Sequence, residues 1–291
     1  MNDKFEKPLL FLQWERVHFL GKINLDLEHP RLYRYEHFSR FKENYQRDKI
    51  VFPSPLSWPD LFEQRFLSDG FLKRCLDEQN SSFRDKIFAL CCTGEGYENA
   101  DAQWNVRKLE KDDFCIRYSF DLWKFLKCLE KSNGKGEFYV SAISYDYSQD
   151  ELMQNMHIKT LKKTSKKAGV QNLIRAMSFK RKSFKYENEV RIWAIAKESF
   201  YSKKEDKCIE MDLDWKEIDL RILVGPSKCD MDFKCYDKLV DYNQDKRKRE
   251  NIIQQERKDK IVRELNIPKT RVKVTHLYDI PLWKSSKNLS K

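Results

Sequence analysis

Nowhere in these 291 residues do the roughly 18–20 continuous apolar residues of a membrane span occur. The opening, Met1 to Pro8, is charged, and the apolar stretch Leu9 to Leu12 is cut short by Gln13, Glu15 and Arg16, so no secretory leader is expected. The eight cysteines (75, 91, 92, 115, 128, 208, 229 and 235) include no C-x-x-C pair, and none of the five histidines stands at ligand spacing from another. A structural zinc site is therefore not expected, and reduced thiols in a cytoplasmic protein are. No internal repeat or long linker divides the chain, which excludes solenoids and bead-like arrays. The expected layout is an N-terminal extension over residues 1–30, one domain over 31–285 and a flexible tail over 286–291.

What is present is enough for a core: 40% hydrophobic and 13% aromatic residues. Basic residues outnumber acidic ones 57 to 46, a net charge of +11, which favours an anionic partner: nucleic acid, a dinucleotide or an acidic protein.

Short alternating or apolar runs read as strands at Arg31–Tyr35, Lys49–Phe52, Ile87–Thr93, Phe114–Phe120, Glu137–Tyr145, Cys208–Leu213, Leu220–Val224 and Arg271–Leu277. Helical patterns fall over Glu36 to Asp48, after Asp121 as N-cap, over residues 151–177 and over residues 230–265. Asp60 and Glu63 have capping-box spacing. Irregular interleaving of these segments predicts an α+β fold with a mixed, largely antiparallel central sheet and flanking helices.

The stretch from Ser178 to Ala196 organises the functional reading. A basic segment with aromatic spacers, Lys180-Arg181-Lys182, enters a strand on which Glu187, Glu189, Arg191 and Trp193 share a face. Two carboxylates that close need a cation, a ligand hydroxyl or solvent between them. They are either a solvated strand face or a site. In Arg31 to Tyr35 the tyrosines 33 and 35 face one way and Arg34 the other; Arg34 is a stacked or ion-paired residue, or an anion ligand. Lys246-Arg247-Lys248-Arg249 is a solvated helix face or, with Lys180, Arg181, Lys182, Lys162 and Lys163, a surface that tracks phosphates. Asp60, Glu63 and either glutamate 187 or 189 could serve a metal-dependent nuclease, although no D-x-D or H-x-H constellation accompanies them.

Leu32 to Tyr35, Trp58 to Glu63, Cys91-Cys92-Thr93 with Gln103-Trp104, and Phe184 to Arg191 resemble, in this order, four motifs of a bacterial family called domain of unknown function 2971. These are an L-Y-K/R-Y strand, F-N-D-P-x-E, C-F-S followed by M-W, and W-x-Y-E-x-E-x-R. The same order also resembles the arginine–serine–glutamate pattern of ADP-ribosyltransferases. That resemblance implies a split sheet and NAD as substrate. Arg34 would hold the pyrophosphate, Ser54 the nicotinamide ribose, Glu189 the ribose 2′-hydroxyl, and Glu187 the acceptor, with Tyr35 and Trp104 as aromatic neighbours. It implies an effector of anti-phage defence or a toxin acting on nucleic acid or protein, with a partner protein in a defence or toxin–antitoxin complex. The alternatives are a nucleic-acid-binding module without catalysis and the metal-dependent nuclease.

Overall fold

The computed structural model describes residues 17–20, 30–58, 63, 67, 85–94, 104, 113–131, 136–145, 166–196, 208–226 and 239–275. In chain order they form β1 (Val17–Leu20), β2 (Arg31–His37), α1 (Phe38–Gln46), β3 (Lys49–Pro53), β4 (Ile87–Thr93), β5 (Cys115–Asp121), α2 (Leu122–Lys131), β6 (Gly136–Ala142), α3 (Lys166–Ala176), β7 (Glu189–Ala196), β8 (Cys208–Asp212), β9 (Arg221–Val224), α4 (Leu239–Leu265) and β10 (Val272–Val274).

Eight strands make one sheet in the order β1-β6-β7-β4-β2-β5-β9-β10, and β3 and β8 form a separate ribbon. The large sheet is antiparallel except at its two ends, where β1 runs parallel to β6 and β10 to β9. The mixed, mostly antiparallel α+β architecture is thus present. Within the stretch the sequence sets apart as an extension, Val17–Leu20 supplies an edge strand of the same sheet.

Alternation along the strands gives the sheet two unlike faces. One carries Leu32, Leu90, Cys92, Ile116, Tyr118, Phe120, Val190 and Ile192 into the main core. That core is closed by Phe38 and Phe41 of α1, Phe125 and Leu129 of α2, Ile50 and Met211 of the ribbon, and Ile261 and Leu265 of α4. On the other face, Ala89, Tyr139 and Trp193 pack under Leu173, Ile174 and Met177 of the α3 segment. Further along this second face a small cluster of Tyr35, Trp104 and Cys115 lies beside Leu223.

Two joints position the site. The seven-pair register between β4 and β7 sets Cys91 opposite Arg191 and Thr93 opposite Glu189. Between β4 and β2, by contrast, one pair, Tyr33 with Thr93, carries the ladder, so the sheet nearly parts there. The Arg34 guanidinium fills the gap, its Nη1 donating to the Cys91 carbonyl at 3.2 Å. A side chain there takes the place of a backbone donor, which a strand carbonyl facing a missing neighbour requires.

Candidate functional site

The first residue of β7 is the centre of a buried ionic cluster. Arg191 grips Glu189 two residues back along the same face: Nε donates to Oε1 at 2.7 Å and Nη2 to Oε2 at 3.0 Å. Its Nη1 donates to the Met177 carbonyl at 2.7 Å, and Nη2 also pairs with Glu63. The guanidinium lies 4.3 Å from the Trp58 ring centroid and its side chain is 1% exposed. Such a planar, five-donor cation suits a dry site only when every edge is used, as here. Glu63 gives its Oε1 to Arg191; Asp60, the other half of the expected capping box, lies outside the described residues.

Lys180 adds a second cation. Its Nζ donates to Glu187 Oε2 at 2.5 Å and to Glu189 Oε2 at 3.2 Å. The two carboxylates thus meet on one ammonium, but not by strand alternation. Glu187 ends a 3-10 turn, Lys182–Glu187, and Asn188 follows in the left-handed region (φ 40°) before the strand begins. The left-handed step at Asn188 swings Glu187 off the pleat. The Glu189 N–H donates to the Tyr145 hydroxyl at 3.0 Å, and the Glu189 carbonyl accepts from Ile143 N–H at 2.9 Å.

The environments drive the two acids apart. Burial pushes Glu189 up, but Arg191, then Lys180 and the Cys91 thiol, outweigh it and hold the carboxyl at about 2. For Glu187 burial outweighs Lys180 and raises it above the ordinary value of 4.5. Burial likewise raises Glu63 against the pull of Arg191, and raises Tyr145.

Arg34 stands on the other side of the sheet from Glu189. It registers with Tyr118, a main-core residue, whereas its neighbour Tyr33 registers with Thr93 and, through it, with Glu189. Besides the Cys91 carbonyl, Arg34 faces Glu36 at 3.8 Å, and that acid is 4% exposed. The expected meeting of Arg34 and Glu189 in one cleft is therefore corrected: alternation on β2 turns them to opposite faces.

Ser54 is displaced too. It follows β3, which pairs with β8, and the ribbon packs on the main-core face. There the Ser54 hydroxyl accepts from Leu56 N–H at 3.3 Å, capping the short turn Pro55–Ser57. The hydroxyl opposite Glu189 belongs to Thr93. Tyr33, Thr93 and Glu189 make one rung across β2, β4 and β7 on a common face.

Cations accompany that rung. Arg117 of β5 lies over the Tyr33 ring at 4.8 Å. Arg31, on the same face, donates to Ser119 Oγ at 3.2 Å and to the Asp219 carbonyl at 2.8 Å, and pairs with the Asp219 carboxylate. Tyr35 and Trp104, read as aromatic neighbours, do meet on this face, edge to face at 4.8 Å. The buried Trp104 Nε1–H has no hydrogen-bond partner among the described residues. Tyr33, Thr93 and Arg117 were missed by sequence reasoning. The alternation in Arg31–Tyr35 held the signal for Tyr33, while the neighbours of β2 did not follow from it.

The basic stretches separate. Lys180 is buried in the cluster, so it is corrected from a nucleic-acid contact to an internal counter-ion. Arg181 lies over the Phe184 ring at 5.0 Å, and Lys182 is exposed. Lys246, Arg247 and Lys248 fall on α4, their side chains outside the described residues, and Arg249 is exposed there. The turn is anchored on the α3 side, where Ser144 pairs with Phe179, while α4 packs through Ile261 and Leu265 into the main core. Lys162 and Lys163 lie outside the described residues.

Among the described residues no group of three or more histidine, cysteine or acidic side chains is arranged to hold a metal. Cys91, Cys92, Cys115, Cys128 and Cys208 are free thiols. No described helix is long and apolar enough to cross a membrane. Comparison of the chain with family models, with curated proteins and with solved structures finds no match.

Proposed function

We propose that this chain is an ADP-ribosyltransferase-like enzyme that breaks the bond between ribose C1′ and nicotinamide in NAD and passes ADP-ribose to an acceptor. The observation that carries the reading is the rung of Tyr33, Thr93 and Glu189 on adjacent strands. It sets a side chain of the first strand, a hydroxyl of the next and the glutamate of the last in line. The near-parting of the sheet between β2 and β4 supports the split-sheet likeness. The likeness to domain of unknown function 2971, and a role as a cytoplasmic effector of anti-phage defence or as a toxin, belong to the same proposal.

In this reading Glu189, held anionic, faces the positive charge that develops at C1′ as the bonding electron pair leaves with nicotinamide. A ribose hydroxyl reaches it by displacing Lys180, whose 3.2 Å bond to Glu189 is the longer of its two. Glu187, the acid with the raised value, takes the proton of the attacking acceptor as the new bond to C1′ forms. Arg117 supplies the cation for the pyrophosphate that Arg34 cannot reach, and Trp104 and Tyr35 the aromatic wall.

The purified chain is incubated with NAD and released nicotinamide is measured, alone and with RNA, DNA or lysate. Glu187→Gln is expected to lower release by about 10²–10⁴-fold. Arg117→Ala is expected to weaken NAD binding, and Arg34→Lys is expected to leave that affinity as it is. Loss of NAD affinity in Arg34→Lys but not in Arg117→Ala would refute the assignment.

One observation favours a second reading. Both Glu189 oxygens are already occupied by cations, the condition of a structural network. A chain that leaves NAD untouched under every condition, yet binds nucleic acid with a steep salt dependence, is a binding module.

A further inference from the structure

The 3-10 turn Lys182–Glu187 is a basic and aromatic segment, none of it buried, that ends at the carboxylate pair, and it has an internal order. In a 3-10 helix the side chains at i and i+3 eclipse, and three residues advance about 6 Å. The Arg181–Phe184 contact at 5.0 Å has this spacing, one step ahead of the turn. By the same geometry Lys182 stands above Lys185 and Ser183 above Tyr186. Lys182, Ser183 and Lys185 are exposed; Phe184 and Tyr186 are half-buried. Their two rings lie 6.4 Å apart and tilted by 38°; the Phe184 ring already carries the Lys180 ammonium at 4.8 Å and the Arg181 guanidinium at 5.0 Å, whereas among the described residues no cation lies over Tyr186.

Two like charges eclipsed on a surface repel, and nothing described offsets them: the nearby acids Glu187 and Glu189 are already taken by Lys180 and Arg191. An anion spanning both lysines relieves that repulsion. Two ammonium groups stacked about 6 Å apart can each neutralise a phosphate of the same strand. The partly exposed Tyr186 ring, next to phosphate-sized cation spacing, matches a polymer that offers flat faces and charges alternately. Duplex nucleic acid hides its base faces in the stack, and an acidic peptide has none to offer.

We propose that the turn from Arg181 to Tyr186 is a docking surface for single-stranded nucleic acid, with phosphates on Lys182 and Lys185 and a base against the Tyr186 ring. The docking itself is independent of NAD chemistry. That the bound strand is also the acceptor rests on the transferase reading, because the turn ends in Glu187 and delivers the strand to the carboxylates.

Fluorescein-labelled oligo(dT) and oligo(rU) are titrated with the full chain by anisotropy, without NAD, at several salt concentrations. Unlabelled duplex DNA and poly-glutamate serve as competitors. Lys182→Ala with Lys185→Ala is expected to weaken binding at least about tenfold and to flatten the slope of log K against log salt by about 1.4, at about 0.7 per single-strand phosphate contact. Tyr186→Ala is expected to weaken binding and leave the slope unchanged, since it removes stacking and no charge. All substituted residues lie at the surface or partly exposed, and circular dichroism checks the fold. The docking surface is overturned if the lysine variant binds as wild type, or if duplex or poly-glutamate competes as well as single strand. Nicotinamide release with and without oligonucleotide is measured in parallel, so a chain that binds strands but spares NAD in both conditions overturns the transferase and leaves this surface standing.

Discussion

Glu189 illustrates how much one side chain can be asked to do. It neutralises Arg191 through two bonds and shares Lys180 with Glu187, in surroundings that leave 6% of its side chain exposed. Glu189→Gln keeps the shape but leaves two buried cations short of an anion, a change on the order of 3–5 kcal/mol in pairs of this kind. The pH dependence fixes the sign. A carboxyl lowered from 4.5 to about 2 contributes its full stabilisation above pH 4.5 and loses it as pH falls toward 2. Glu63 and Glu187, both raised, run the opposite way, taking up protons on folding. The gap in urea midpoint between wild type and Glu189→Gln is therefore expected to be widest above pH 4.5 and to close in acid. A gap that does not change with pH would mean that Glu189 is not held as a paired anion.

At the scale of elements, the turn before β7 depends on a single backbone step. Asn188 has φ 40° and ψ 52°, where a Cβ without local hydrogen-bonding ability is strained. Asn188→Ala is expected to destabilise by about 1–2 kcal/mol and Asn188→Gly by less, measured by thermal melting. Much of the rest was legible in the sequence. Ile87–Thr93 forms the strand expected of it, and Asp121 caps α2, accepting from Lys124 N–H at 2.9 Å. The pattern from residue 230 onward yields α4 as one continuous helix from Leu239. Local chemistry settles such features. A turn entering a strand was expected here, but that Glu187 belongs to the turn escaped, because E-x-E fits a pleat as well as it fits a turn followed by a strand. The choice between Ser54 and Thr93 escaped because strand adjacency depends on closure by distant core residues. A helix or short strand was open for the N-terminal stretch; that Val17–Leu20 joins the main sheet escaped because its partner is β6, far along the chain.

For the molecule as a whole, a net charge of +11 draws any polyanion toward it, which sets rate and reach but not the place of docking. Place comes from the architecture: an apolar face closed by α1, α2, α4 and the ribbon, and an opposite face on which charged and aromatic groups collect. Between β4 and β2 that sheet is fastened by Tyr33 with Thr93 and by the Arg34 side chain. In hydrogen exchange, the amides of Tyr33 and Thr93 are expected to open ahead of the β4–β7 ladder, whose register runs through seven pairs. A sheet tacked so lightly at its midline behaves as two leaves of a book with the spine at residue 93. Whatever clasps Tyr33 and Glu189 together would hold both leaves shut, so occupancy at the spine would be felt at each outer edge, from Val17 to Val274.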